Sequence, residues 1–116
     1  MIREFSLVGD GAPRALNQYL HHEVKQEMPA LVRVTHPDGA HAIAAGVDTP
    51  VEIEVQGHAG YYVAGMNQHA RVTVHGNAGT GAAENMMSGL VRIKGFASTS
   101  AGASAHGGTL VIEGDA

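Results

Sequence analysis

The sequence predicts an all-β solenoid, a parallel stack of nineteen-residue coils behind an N-terminal helical cap, and three observations carry that expectation. Glycine returns every nineteen residues at Gly57, Gly76, Gly95 and Gly114, each inside one phrase: Val55-Gln56-Gly57-His58-Ala59, Val74-His75-Gly76-Asn77-Ala78, Ile93-Lys94-Gly95-Phe96-Ala97 and Ile112-Glu113-Gly114-Asp115-Ala116. Ahead of the glycine, apolar residues fall two apart, as in Val51, Ile53 and Val55, which is a strand with one buried face. A second small-residue stretch recurs in step: Ala44-Ala45-Gly46, Val63-Ala64-Gly65, Ala82-Ala83-Glu84 and Ala101-Gly102-Ala103. So short a unit cannot bury its apolar side alone, and stacking copies of it builds a continuous core.

Residues 1–31 lie outside the repeat and read as a cap. Phe5 and Leu7 alternate, Gly9-Asp10-Gly11 makes a turn, and Pro13 brings the fixed φ that suits a first helical position. A helix is expected over 13–28, with Leu16, Tyr19, Leu20 and Val24 on one face and Pro29 ending it. Its place would be over the open edge of the first coil, because an uncovered strand edge invites aggregation.

Residues 32–116 form the β-helix. In a constant nineteen-residue register Val32, Val51, Ala70, Gly89 and Gly108 superpose, as do Val34, Ile53, Val72, Val91 and Leu110, and Ala40, Ala59, Ala78, Ala97 and Ala116. That gives coils 32–50, 51–69, 70–88 and 89–107 and the start of a fifth, with Asp38 in the glycine position of the first. Coils should pair at a rise of about 4.8 Å, with Val, Ile and Ala ladders filling the bore and with Glu52, Glu54, Gln56 and His58 outside. Glycine is expected to recur where the chain turns with a φ unavailable to other residues. The fifth coil carries no capping segment, so either a partner covers it or the array is truncated, and the rule that terminal repeats carry caps favours truncation.

Composition narrows the function. The net charge is −4, without a run of Lys or Arg, which leaves no electrostatic footprint for nucleic acid or an acidic membrane. There is no cysteine, hence no disulfide framework or thiolate chemistry, as is ordinary in a cytosolic protein. With no signal-like or membrane-spanning apolar run, the expected compartment is the cytoplasm.

The candidate chemical motifs are weak. Gly76-Asn77-Ala78-Gly79-Thr80-Gly81 resembles a phosphate cradle but lacks the helix after it and the acidic residue beyond. Eight histidines scatter over the register, with His58 over Asn77, His75 between Gln56 and Lys94, His69 over Ser88, and His21 and His22 on different faces of their helix; no metal set converges. Ser98-Thr99-Ser100 and Ser104 belong to the second wall, where small polar residues mark tight stacking, so no catalytic, cofactor or metal residue is assigned. Tyr61, Tyr62, Met66, Met86 and Met87 form the candidate partner interface, since aromatics and Met are enriched there. Filling of the bore is the competing reading, although of two consecutive tyrosines at least one must lie outside.

The phrases from Gly57 to Met66, from Val74 to Gly79 and from Glu84 to Gly89, with Arg14-Ala15-Leu16-Asn17-Gln18 in the cap, resemble the glycine-repeat (GXGXG) domain of the glutamate synthase large subunit. In particular they resemble its free-standing form, the β-helix subunit of N-methylglutamate synthase in methylamine metabolism, and more distantly the C subunit of formylmethanofuran dehydrogenase. The resemblance implies a right-handed parallel β-helix that braces a glutamine amidotransferase subunit and an FMN-containing synthase subunit. FMN and an iron–sulfur cluster would sit in the partner, and none in this chain. It also implies about twice as many coils as are present here. Two other readings stay open: an independent solenoid binding a small ligand or metal, and a β-helix that associates end to end.

Overall fold

In the computed structural model, which describes residues 1–9, 11–98, 101–103 and 105–114, apolar residues two apart build every strand of the stack. The strands are β1 (Ile2–Ser6), β2 (Leu31–Thr35), β3 (Glu52–Gln56), β4 (Arg71–Val74), β5 (Leu90–Ile93) and β6 (Thr109–Ile112). They form one six-stranded sheet in chain order, and every pairing is parallel. This is the parallel β-solenoid that the repeat predicts. Asp10, Thr99, Ser100, Ser104 and Ala116, which carried the expected turn, the small polar run and the last alanine of its ladder, lie outside the described residues, as does Asp115.

The bore is filled by like residues stacked on like. Val32 and Val34, Ile53 and Val55, Val72 and Val74, and Val91 and Ile93 are all fully buried, while Leu110 and Ile112 of the last strand are partly so. Ala59, Ala78 and Ala97 continue the stack through isolated parallel bridges, each with the same 6% exposure. Burial of this kind contributes roughly 1.5–3 kcal/mol for each Val, Ile or Leu side chain.

The first coil departs from the nineteen-residue register. Val32 pairs with Ile53 and Val34 with Val55, whereas Ile53 pairs with Val72 and Val55 with Val74. The first coil is therefore two residues longer than the others. One extra residue lies in the corner after β2, because Ala42 takes the place of Tyr62: Ala42 donates to Tyr61 O at 2.7 Å as Tyr62 donates to Thr80 O at 2.9 Å. The other lies in the closing corner before β3. With this shift His36, not Asp38, comes opposite Gly57, and both are left-handed, at φ +53° and +139°.

The small-residue stretch is a second wall, but not a strand. Ala42, Ala44 and Gly46 have positive φ, as do Tyr62, Ala64 and Met66, and Gly81, Ala83 and Asn85. Left-handed residues thus alternate with ordinary ones, and the backbone groups aim up and down the stack. Met66 N–H reaches forward to Glu84 O, while Ala64 N–H reaches back to Ile43 O. Ile43, Val63 and Ala82 face the bore and are fully buried. Small residues suit this wall because nothing β-branched sits easily in the left-handed region.

The sheet begins inside the segment expected to be only a cap, since β1 lies on β2 with Phe5 against Val34. The expected single helix is two, α1 (Ala12–His21) and α2 (Val24–Glu27), parted where His22 leaves helical geometry at φ −128°, ψ −74°. The predicted apolar face is right: Leu16, Leu20 and Val24 are fully buried and Tyr19 is 4% exposed. Asn17 ties α1 to the second wall, its amide donating to Ala42 O at 2.8 Å and accepting from Ala44 N–H at 3.0 Å. His21 Nε2 adds a bond to Ala45 O at 2.8 Å. These side chains do for the first coil what backbone does between later coils, namely satisfy the edge groups.

Candidate functional site

The repeat glycines follow each strand and lie in a column along one corner. Gly57 has a positive φ; Gly76, Gly95 and Gly114 do not, which corrects the expectation that a forbidden φ selects all four. Space selects them instead. A Cβ on Gly76 would stand 2.7 Å from the carbonyl carbon and oxygen of Gly57, and one on Gly95 would stand 2.8 Å from those of Gly76. A Cβ on Gly114 would stand 2.7 Å from the Gly95 carbonyl carbon. Backbone rests on backbone here, and Gly95 and Gly114 each donate 3.0 Å hydrogen bonds to the glycine carbonyl beneath.

The residue after each glycine extends this column with side chains. His58 Nδ1 accepts the Asn77 backbone N–H at 2.8 Å, and Asn77 Oδ1 accepts the Phe96 N–H at 2.8 Å. In a neighbouring row three residues further along the chain, His41 Nδ1 accepts the Tyr61 N–H at 2.8 Å, and its ring stacks on the Tyr61 ring with centroids 4.4 Å apart. Sequence reasoning aligned His58 with Asn77 and set His58 outside, but did not anticipate the hydrogen bond between them. An imidazole and a carboxamide one repeat apart, each able to accept a hydrogen bond, were the available signal.

Three successive amides at the centre of the phosphate-cradle motif are in use. Asn77 N–H is held by His58, Ala78 N–H by Phe96 O, and Gly79 N–H by Ala59 O and Gly60 O, each of the last two at 3.1 Å. An anion site needs free donors. Among the described residues no three His, Asp or Glu side chains gather as a metal set. His75 approaches Glu54 at 3.7 Å on the outer face of the sheet, where Arg33, Arg92, Lys94 and Glu113 also pair.

The five candidate interface residues part company. Tyr61, Met66 and Met87 are exposed at 61%, 48% and 45%. Met86 is 1% exposed and belongs to the buried core, so it has no surface to offer a partner. Tyr62 is half-buried, its ring over Gly65 and Gly81. Phe96 was not a candidate, yet it is 56% exposed in the column that His58 and Asn77 occupy. The corner holding His41, His58, Tyr61, Asn77 and Phe96 thus presents planar side chains with little charge, while the sheet face carries the ion pairs.

A groove of about 620 Å³ opens beside this corner, lined by Thr35, His36, Pro37, Asp38, Gly39, Gln56, Gly57 and His58. It lies where the first coil carries its extra residue. Among the described residues no helix is long and apolar enough to cross a membrane.

Comparison with known proteins places one relative beside this geometry. The chain is 52% identical over 51 residues to Protein GlxC of Rhizobium meliloti (strain 1021), a match that covers 44% of this chain and 22% of that protein. The chain therefore spans well under two thirds of the length of the curated relative it matches. No protein-family model matches the sequence, and no solved structure does.

Proposed function

We propose that this chain is a non-catalytic structural component of a glutamate synthase-like complex, and more narrowly the β-helix component of an N-methylglutamate synthase. One observation supports the reading above the others. The stretches that carry the resemblance, Gly57 to Met66 and Val74 to Gly79, contain the close backbone approaches of Gly76 to Gly57 and of Gly79 to Gly60, with Tyr61 exposed beside them and Met66 exposed on the second wall. The 52% identity to Protein GlxC over 51 residues adds a relative for part of the repeat.

In this role the chain contributes surface and rigidity. A parallel stack joined by hydrogen bonds at every coil fixes the distance between points along its axis, which is what a brace between two active sites requires. A glutamine amidotransferase subunit would release ammonia, and a synthase subunit would hold FMN and an iron–sulfur cluster. Methylamine in place of ammonia is the narrower part of the proposal, and the cytoplasm is its setting.

Co-expression tests it. The tagged chain should retain an amidotransferase subunit and a flavoprotein encoded beside it, and Tyr61→Asp with Met66→Asp should release both while leaving the fold intact. A chain that retains neither subunit, or that turns over a substrate alone, contradicts the proposal.

A further inference from the structure

Two inter-coil hydrogen bonds at the corner end on imidazole nitrogen that carries no proton. Tyr61 N–H points at His41 Nδ1 and Asn77 N–H at His58 Nδ1, both at 2.8 Å. A backbone N–H can only donate, so each bond requires a bare Nδ1 and places the ring proton on Nε2. We propose that the corner joining the first three coils is an acid-sensitive seam, closed while His41 and His58 are neutral and loosened when they take up a proton.

The position makes the seam matter. His41 joins the first coil to the second and His58 the second to the third, so protonation removes acceptors at two successive steps of the stack. An imidazolium would turn a second N–H toward the Tyr61 or Asn77 N–H, donor against donor. The His41 ring is stacked on the Tyr61 ring. Asn77 has no titrating group, and its Oδ1 accepts the Phe96 N–H at any ordinary pH. The seam therefore stops at the third coil.

The surrounding groups act in both directions. His58 shares the groove with His36 and Asp38. The Asp38 carboxylate favours a protonated neighbour, and a protonated His36, which touches Ser6 Oγ at 3.2 Å, disfavours one. Beside His41 stand the neutral Tyr61 ring and the Gly39 carbonyl. On the sheet face His75 stands 3.7 Å from Glu54, away from the seam. Substitution separates them.

Asparagine at both positions keeps an acceptor that does not titrate, as Asn77 does. Thermal unfolding of the full chain and of His41→Asn/His58→Asn would be followed from about pH 7.5 to about pH 5, across the range in which histidines change charge. The wild-type midpoint should fall by about 4–8 °C more than that of the variant. Equal falls overturn the proposal. Imidazole ¹⁵N shifts of the wild-type protein at neutral pH decide independently of whether the variant folds: bare Nδ1 and protonated Nε2 at both residues support the seam, and a proton on either Nδ1 contradicts it.

Discussion

The Tyr19 hydroxyl donates a 2.6 Å hydrogen bond to the Glu27 carboxylate, joining α1 to α2 under β1. Arg3 completes the cluster, 3.8 Å from Glu27 and about 5.4–5.5 Å from the ring centres of Tyr19 and Phe5. The end of the bore is thus closed by a charged, hydrogen-bonded group laid over aromatic rings.

Burial and the Glu27 bond push the Tyr19 hydroxyl up to about 12, from an ordinary value near 10. The folded state therefore keeps a proton that the unfolded chain gives up first. Stability from Tyr19 is fully present below pH about 10 and is lost as pH rises through about 12. Alkaline unfolding followed at the tyrosinate absorbance should show this loss, and Tyr19→Phe should abolish it. The same variant should cost about 1–3 kcal/mol at neutral pH, because the bond it removes is charge-assisted.

Asn17 is the pin between cap and coil. Asn17→Ala leaves the Ala42 carbonyl and the Ala44 N–H without their partner, and should cost about 2–4 kcal/mol in a denaturant titration. Hydrogen exchange should rise first at Ala44. Asn17→Asp keeps the acceptor for Ala44 but sets a carboxylate against the Ala42 carbonyl, so it should not rescue.

At Gly76 the contact with Gly57 and an unusual backbone angle make opposite predictions for asparagine. Asn tolerates positive φ, so an angle requirement would make Gly76→Asn mild. A Cβ placed 2.7 Å from backbone is refused whatever follows it, so Gly76→Asn and Gly76→Ala should both destabilise by about 1–3 kcal/mol or more. Gly39, at φ +74° with open space around it, should reverse this: Asn there should be the milder substitution. Unfolding midpoints of the four variants decide.

The stack itself was legible because Gly57, Gly76, Gly95 and Gly114 recur at one spacing among alternating apolar residues. The apolar face of the cap was legible for the same periodic reason. The two extra residues of the first coil were hidden by that alternation. Sliding Val32 and Val34 by two places sets valine or isoleucine opposite valine or isoleucine again, so period two cannot report the shift. The second wall was hidden because alanine declares no backbone angle, and Ala42, Ala44, Ala64 and Ala83 take left-handed geometry only when inter-coil bonding holds them. At the candidate interface, Met86 and Met87 are adjacent and chemically alike; only the turn of the chain sends one into the bore and the other outside.

The register of the first coil bears most directly on the parallel stack from which the corner, the seam and the proposed bracing role all follow. Methyl-to-methyl nuclear Overhauser contacts in the labelled protein read it out. The structure predicts strong contacts of Val34 with Val55 and of Val55 with Val74. A Val34 that contacts Ile53 in place of Val55, or a Val55 without contact to Val74, would contradict the stack.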